Sequence, residues 1–336
     1  MDSDTKRCTT PHTPASIPLA DEYHFMPASG YSSPHTAYFY AFNTCVTLSM
    51  YAPVRAAQAA CHYAFEQCRE FEQLFSRTIP TSDICQIHAK APEWVPISAA
   101  TYDVLKQSLT YCEASQGHFD ITMGTVSKLW DFNTGHMPDS GSLQKAIHHV
   151  DFHALELCDC HDTFARLTDP AASLDIGGTA KGYIADSLRD MCIGHGIKHF
   201  LINLGGNVLA HGGKPNGDPF MVGIKDPQHP ESVITKVPIM SGSVVTSGLY
   251  ERSFMHDGIR YSHILSTQTG MPITTDVESV TVVALNSADC DGFSTTLCAL
   301  GLQEGIRFAL SRPEILLAIF IDTDNNVYAT RDIARA

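Results

Sequence analysis

Apolar residues along this chain recur first at helical spacing and later at strand spacing. Between Val54 and Phe75 they fall at Ala57, Cys61, Ala64, Phe65, Cys68, Phe71, Leu74 and Phe75, which predicts a long amphipathic helix. Ser98 to Ser115 predicts a second helix, with Ser98 as its cap and Tyr102, Leu105, Leu109 and Cys112 as its stripe. Gly141 to Val150 predicts a third, shorter one. Upstream, Tyr38 to Met50 alternates and is rich in aromatic and β-branched types, so it reads as a strand. Strands then dominate: Leu167–Asp175, His199–Leu204, Asn207–His211, Phe220–Lys225, Val233–Pro238, Ser243–Thr246, Ile259–Leu265 and Ser279–Leu285, punctuated by Gly-Gly, Pro-Asn-Gly and Asp-Gly turns. Helices at Gly178–Ile193 and Ala288–Leu300 interrupt them. A helix at Leu302–Leu310 and strands at Ile315–Asp322 and Val327–Thr330 close the chain. This order predicts an α+β fold, a large, mostly antiparallel mixed β-sheet system flanked by helices. Residues 1–35 are Thr/Ser/Pro-rich and expected to be flexible, and 36–336 read as a single domain.

Composition narrows the partners. Lys plus Arg number 22 against 36 for Asp plus Glu, a formal charge of -14, and no Lys/Arg-rich run exists. Nucleic acid is therefore excluded as the main partner. A polyphosphate would have to be held by local devices: a metal, a helix start, one placed lysine. The 11 cysteines are scattered with no C-x-x-C pair, which reads as reduced thiols. The first 22 residues lack a basic region followed by an apolar one, and Tyr38–Tyr51 is too short and polar to span a bilayer, so a cytoplasmic location without membrane insertion is expected.

Three segments carry candidate chemistry. In Leu174-Asp175-Ile176-Gly177-Gly178-Thr179-Ala180-Lys181-Gly182-Tyr183 a strand runs through a glycine turn into a helix. Free N–H groups and the positive end of the helix dipole suit phosphate, and Lys181 can reach the same anion. The pattern equally describes a glycine-capped helix with a solvated lysine. In Ser287 to Cys298, Asp291 and Thr295 stand four apart on a predicted helix, a hard-oxygen half-site suited to Mg²⁺; the alternative makes Asp289 or Asp291 an N-cap and Thr295 a back-bonded helix residue. In Tyr261 to Gly270, His263 lies on an alternating strand leading into a turn, placed either to deprotonate a hydroxyl near neutral pH or to serve structurally.

Taken in order, these segments resemble the FAD:protein FMN transferase (ApbE) family. The family patterns D-x-G-[GA]-x-A-K-G-Y, N-L-G-G-[DN], T-S-G-x-Y, H-I-x-x-x-x-T-G and D-x-x-x-T are met at Asp175–Tyr183, Asn203–Asn207, Thr246–Tyr250, His263–Gly270 and Asp291–Thr295. Upstream, Gly117–Thr122 with Leu129-Trp130-Asp131-Phe132 resembles the block G-x-[FL]-D-x-T…L-W-x-F. The resemblance implies Mg²⁺ held by Asp291, Thr295 and the backbone carbonyl of Gly178. It implies FAD, the substrate, gripped by His118, Phe119, Asp120, Asp175, Gly177, Lys181, Thr246, Ser247, His263 and Ile264. His263, with Asp291, would be catalytic, activating a threonine hydroxyl of an acceptor protein that attacks the FMN-side phosphorus while AMP leaves. Family acceptors carry that threonine in a segment like S/T-G-A-T, which this chain lacks. The enzyme would work as a monomer or homodimer.

The chain departs from the family at Phe42-Asn43-Thr44 (M-G-T is usual), at Thr78 (an aromatic), at His88 (an asparagine) and at Ser266-Thr267 (Asp-Pro). These changes touch the isoalloxazine wall and spare the metal and phosphate equipment. An FAD pyrophosphatase, with water replacing threonine, would use the same residues. A non-catalytic flavin-binding protein would leave His263, Asp291 and Thr295 without a use. His148, His149, His153, Cys158, Cys160 and His161 are metal-ligand types, but their spacing matches no zinc pattern.

Overall fold

The computed structural model describes residues 22–30 and 33–335. Most of the stretch expected to be flexible, residues 1–21, lies outside the described residues. Tyr23–Met26, however, forms strand β1, paired antiparallel with β2 (His35–Ala41). The single strand expected over Tyr38–Met50 is a hairpin, β2 and β3 (Thr44–Met50), turning at Phe42 and Asn43. Both turn residues have positive φ (53° and 59°), the geometry of a two-residue type I′ turn. Asn tolerates that conformation. Phe42 is held in it by a bond from its N–H to Glu72 Oε1 (2.9 Å) and by packing of its ring on the core.

Helix α1 (Val54–Phe75) has the expected bounds and buries Ala57, Ala60, Cys61, Ala64, Cys68, Phe71 and Phe75. An unexpected short helix, α2 (Asp83–Lys90), follows, capped by Ser82 Oγ on the N–H of Cys85. Then come β4 (Val95–Pro96) and α3 (Ala99–Ala114), whose Ser98 cap accepts from Thr101 N–H as expected. Short helices α4 (Gly124–Ser127) and α5 (Ser140–Ile147) precede β5 (Leu155–Cys158) and β6 (Phe164–Leu167), which pair with β4 in a small sheet. The strand expected over Leu167–Asp175 thus ends where it was to begin. Asp169 instead turns the chain, bonding the N–H of Ala171.

The rest of the chain runs α6 (Ala180–Gly194), β7 (Phe200–Leu204), β8 (Asn207–His211), β9 (Phe220–Lys225), β10 (Val233–Ile239), β11 (Gly242–Gly248), β12 (Ser253–His256), β13 (Ile259–Ser262), β14 (Val277–Ala284), α7 (Ser287–Ser311), β15 (Ile315–Asp322) and β16 (Val327–Ala329). Nine strands make one sheet in the order β1-β2-β3-β7-β8-β11-β14-β15-β16, with every pairing antiparallel. The α+β expectation therefore holds. The two helices expected at 288–300 and 302–310 are α7, broken where Gly301 takes φ 73°.

Central strands are apolar on both faces because both are covered. On one face α7 crosses β11, β14 and β15, with α6 beside it, over Val280, Val282, Ala284 and Phe320. On the other, Val283, Leu317, Ile319 and Ile321 meet Phe220, Ile224, Val237 and Ile239 of the β9–β10 ribbon. A satellite cluster joins Val126, Trp130, Leu143 and Ala146 to Phe254 and Tyr261 of the β12–β13 hairpin. Among the described residues no helix is long and apolar enough to cross a membrane.

Candidate functional site

The glycine turn is shaped from within. Asp175 Oδ1 accepts the N–H of Gly177 (3.0 Å), while Oδ2 accepts from Arg77 Nη1 (2.7 Å) and Ser127 Oγ (2.9 Å). Its carboxylate is thereby taken up in fixing the turn. Gly178 is needed for proximity: a methyl there would meet the Phe119 ring at 2.9 Å. Phe119 thus lies against the turn, joining two motifs far apart in sequence. Helix α6 begins at Ala180, two residues later than expected, with no acidic residue in its first turn. Lys181 sits there, its Nζ bonded to Gly177 O at 3.3 Å.

Asp120 has a similar internal duty. Oδ1 accepts the N–H and hydroxyl of Thr122 (2.7 and 2.6 Å), and Oδ2 accepts the N–H of Phe152 (3.0 Å). Burial pushes its pKa up, and these bonds counter the shift. Its neighbour His118 is half-buried.

Helices α6 and α7 cross closely because Gly182 has no side chain: a methyl would meet Ser287 O at 2.5 Å. At this crossing Asp186 of α6 caps α7, accepting the N–H groups of Ser287 and Ala288 (both 2.9 Å). Burial raises Asp186 to about 6. The alternative in which Asp289 or Asp291 caps α7 is therefore overturned. Asp289 bonds the Tyr111 hydroxyl (3.0 Å) and Asn286 Nδ2 (3.2 Å). Asp291 lies in the second turn, buried, with Oδ2 accepting Gly182 N–H at 2.7 Å. Burial raises its pKa; Lys181, the Gly182 N–H and the Asn207 side chain work against that rise. Thr295, one turn on, is half-buried on the same face.

Asn207 is the residue sequence reasoning passed over, although it closes the N-L-G-G-N segment. Ser243 Oγ donates to Ser287 Oγ (2.8 Å), which donates to Asn207 Oδ1 (2.6 Å). That relay fixes the amide so that Nδ2 faces Asp291, buried and without a bond of full geometry. Asp291 and Thr295 thus offer a buried carboxylate and a hydroxyl one turn apart on α7. Such a donor set fits Mg²⁺, which takes one or two carboxylates and completes its shell with phosphates and water.

His263 stands just past β13 instead of on it, its N–H bonded to Arg252 O at 2.9 Å. Its Nδ1 is buried without a partner. Burial, then the charges of Arg252 and Lys181, bring its pKa down to about 4, so the ring is neutral at pH 7. Ile264 is buried in the main core, so only its backbone is free for a ligand, and its carbonyl already accepts from Ile273 N–H (3.0 Å). The Ser266–Gly270 turn is tied to Trp130, whose Nε1 donates to Gly270 O at 3.1 Å. Ser247 faces α7, bonded to Ser294 Oγ (2.8 Å). Thr246, next in the strand, points to the opposite face and bonds Thr281 Oγ1 (2.7 Å), so the structure separates these two candidates.

Lys181 thus acts electrostatically on both Asp291 and His263. Of the departures, His88 serves structure: Nε2 accepts Leu174 N–H (2.7 Å), pinning the segment before Asp175. Thr78 N–H is held by Ser76 Oγ (3.1 Å) beside Arg77. The His/Cys run does not converge on a metal: His149 pairs with Asp169 and His153 with Asp151, and no metal-holding group of His, Cys, Asp and Glu occurs among the described residues.

Comparison with known proteins follows the same lines. The ApbE family model matches residues 42–320. An FAD:protein FMN transferase of Treponema pallidum is 32% identical over 301 residues, covering 84% of this chain and 82% of its own. Another, from Klebsiella pneumoniae, is 31% identical over 276 residues, with 80% and 84% covered. The crystal structure of the ApbE protein of Thermotoga maritima aligns with a TM-score of 0.80 at 25% identity, covering 91% of this chain and 96% of its own. The apo form of Pseudomonas stutzeri flavinyl transferase ApbE shares the fold, with a TM-score of 0.78 at 24% identity and 91% and 97% covered.

Proposed function

The chain belongs to the ApbE family, and from that footing we propose that it is an FAD:protein FMN transferase. It moves the FMN half of FAD onto a threonine hydroxyl of an acceptor protein and releases AMP. The observation that carries this reading is the 2.7 Å bond from Gly182 N–H to the buried Asp291, which sets that carboxylate against the first turn of α6 next to Lys181. A cation beside a buried carboxylate suits a diphosphate whose phosphorus is attacked by a hydroxyl.

Asp291, Thr295 and the Gly178 carbonyl would hold Mg²⁺, with the buried Asn207 amide turned towards Asp291. When bound, that ion supplies positive charge against the diphosphate and the departing AMP. Lys181 and the positive end of the α6 dipole bind the phosphates, the N–H groups of Gly177, Thr179, Ala180 and Gly182 being taken by Asp175, Ile176 and Asp291, with Phe119 walling the turn. His263 has Nδ1 sealed inside the protein, which leaves Nε2 to take the threonine proton. Ser247 faces this side, while Asp120, Asp175 and Ile264 hold the backbone that meets FAD. The reaction runs in the cytoplasm on an acceptor carrying an S/T-G-A-T-like segment, with the enzyme a monomer or homodimer.

Incubation with FAD and Mg²⁺, with and without an acceptor domain carrying such a segment, tests this. The expected result is an FMN-sized mass gain on the acceptor, matched by AMP and abolished by EDTA and by Asp291→Ala. Free FMN and AMP with an unlabelled acceptor would point instead to a pyrophosphatase.

A further inference from the structure

Away from that site, the β5–β6 hairpin carries a thiol pair that flavin transfer does not use. Its last paired residues are Cys158 and Phe164, and the chain bends directly after Cys158. On a regular strand, residues two apart sit about 6.6 Å from one another along the axis. Here the bend carries Cys160 back, and the Sγ atoms of Cys158 and Cys160 lie 2.7 Å apart. The loop is anchored on its far side, where Thr163 exchanges bonds with Ile97 (2.9 and 2.7 Å).

Among the described thiols Cys160 is the exposed one, and Cys158, like Cys45 and Cys85, is half-buried. Burial pushes Cys61, Cys192 and Cys298 up to about 12, which leaves them inert. Cys158 is half-buried and Cys160 exposed, and both are free. The Cys160 thiol is held protonated by its hydrogen bond to Cys158 and by the charge beside it. One sulfur keeping the proton while its neighbour sits in contact is an arrangement suited to exchange.

We propose that Cys158-Asp159-Cys160 is a redox-active dithiol that closes to an internal disulfide by exchange with a small disulfide of the glutathione class. One thiolate of the pair attacks the small disulfide, forming a mixed disulfide and expelling one thiolate. The second cysteine, losing its proton to solvent, attacks the protein sulfur of that mixed disulfide and expels the other thiolate. Two protein thiols are oxidised and one small disulfide is reduced to two thiols. An exposed disulfide of this kind is readily reduced again, which makes the loop responsive to the redox state around it.

The test equilibrates the full chain in buffers of rising oxidised-to-reduced glutathione ratio, followed by alkylation, trypsin and mass spectrometry. The peptide between Lys145 and Arg166 holds both thiols and no other cysteine. It should lose two protons as the ratio rises, escape alkylation and recover with dithiothreitol. In Cys158→Ser and Cys160→Ser the remaining thiol should accumulate a glutathione adduct instead. Double alkylation of the wild-type peptide at every ratio, or a separate glutathione on each thiol, would overturn the proposal.

Discussion

Replacing Asp291 by asparagine separates what the residue does for binding from what it does for folding. The amide keeps an oxygen for the Gly182 N–H, now bonded at 2.7 Å, while it removes the charge and turns the other oxygen into an NH2 group. Burial holds the Asp291 pKa above its ordinary value. A carboxyl raised in the folded state binds protons the unfolded chain has lost, so its contribution to stability falls as pH climbs above 3.8. The charged form of the side chain is therefore a cost to the unliganded fold, and unliganded Asp291→Asn should melt no lower than wild type. Ligand reverses the order. Mg²⁺ with FAD at about 100 times the dissociation constant stabilises wild type by about 2.7 kcal/mol. At about 2.1 cal/mol/K per residue, 336 residues melt with an entropy of about 0.7 kcal/mol/K, so the midpoint should rise by about 4 °C. The variant should lose the magnesium-dependent part of that rise, and its transfer rate should drop at least about 100-fold. Calorimetry with and without Mg²⁺ and FAD reads both effects. A variant that melts well below wild type without ligand, or keeps the magnesium-dependent rise, would refute the assignment.

Three further outcomes are expected. Because His263 lies at about 4 in the free protein, kcat/KM for transfer should stay level down to about pH 5 and fall below; kcat should fall at higher pH, since bound diphosphate offsets Lys181 and Arg252, and coincident limbs would contradict this. His88, also held down to about 4 by burial with Lys128 and Arg77 nearby, should cost stability as pH drops from 6.5 towards 4, because the unfolded chain takes the proton first; urea midpoints of His88→Asn should show a weaker decline over that window. Gly178→Ala drives a methyl against the Phe119 ring at 2.9 Å and should cost about 1–3 kcal/mol of stability and weaken FAD binding, measured by urea titration and flavin fluorescence.

Elements with a full period of apolar residues were legible in the sequence: α1 and strands such as β8, β9 and β15 keep their expected bounds. The β2–β3 turn was not, since Phe42-Asn43 lacks the glycine that marks a type I′ turn, and the conformation is sustained by Glu72 from a distant helix. Helix α2 hid behind its brevity, although Ser82 with Asp83 is a cap signature. In the candidate site, Lys181, Asp291, Thr295 and His263 were singled out by their motifs and the family resemblance, local context alone leaving structural alternatives open. Asp186 and Asn207 were not, because their roles exist only once α6, β8 and α7 meet; nothing near Asp186 in sequence announces a cap for a helix about a hundred residues on.

Why the proposed site lies at the α6–α7 crossing follows from where unmatched polarity can be held. Asp291 is an acid whose buried carboxylate accepts the Gly182 N–H, and Asn207 turns its side-chain amide towards it. Left in a mobile segment, such groups would turn to water. Here they cannot, because Gly182 brings the helices into backbone contact, Gly292 lets α7 press against the Tyr111 ring, and Asp186 locks the start of α7. The fold therefore spends core stability to keep a carboxylate and an amide aimed at one place beside Lys181. A divalent cation and a diphosphate satisfy all three groups together, whereas either alone would leave one of them unmatched. On this reasoning Mg²⁺ and FAD should stabilise the protein cooperatively, each raising the other's affinity, and that coupling should vanish in Asp291→Asn while Lys181→Met weakens FAD binding with or without magnesium.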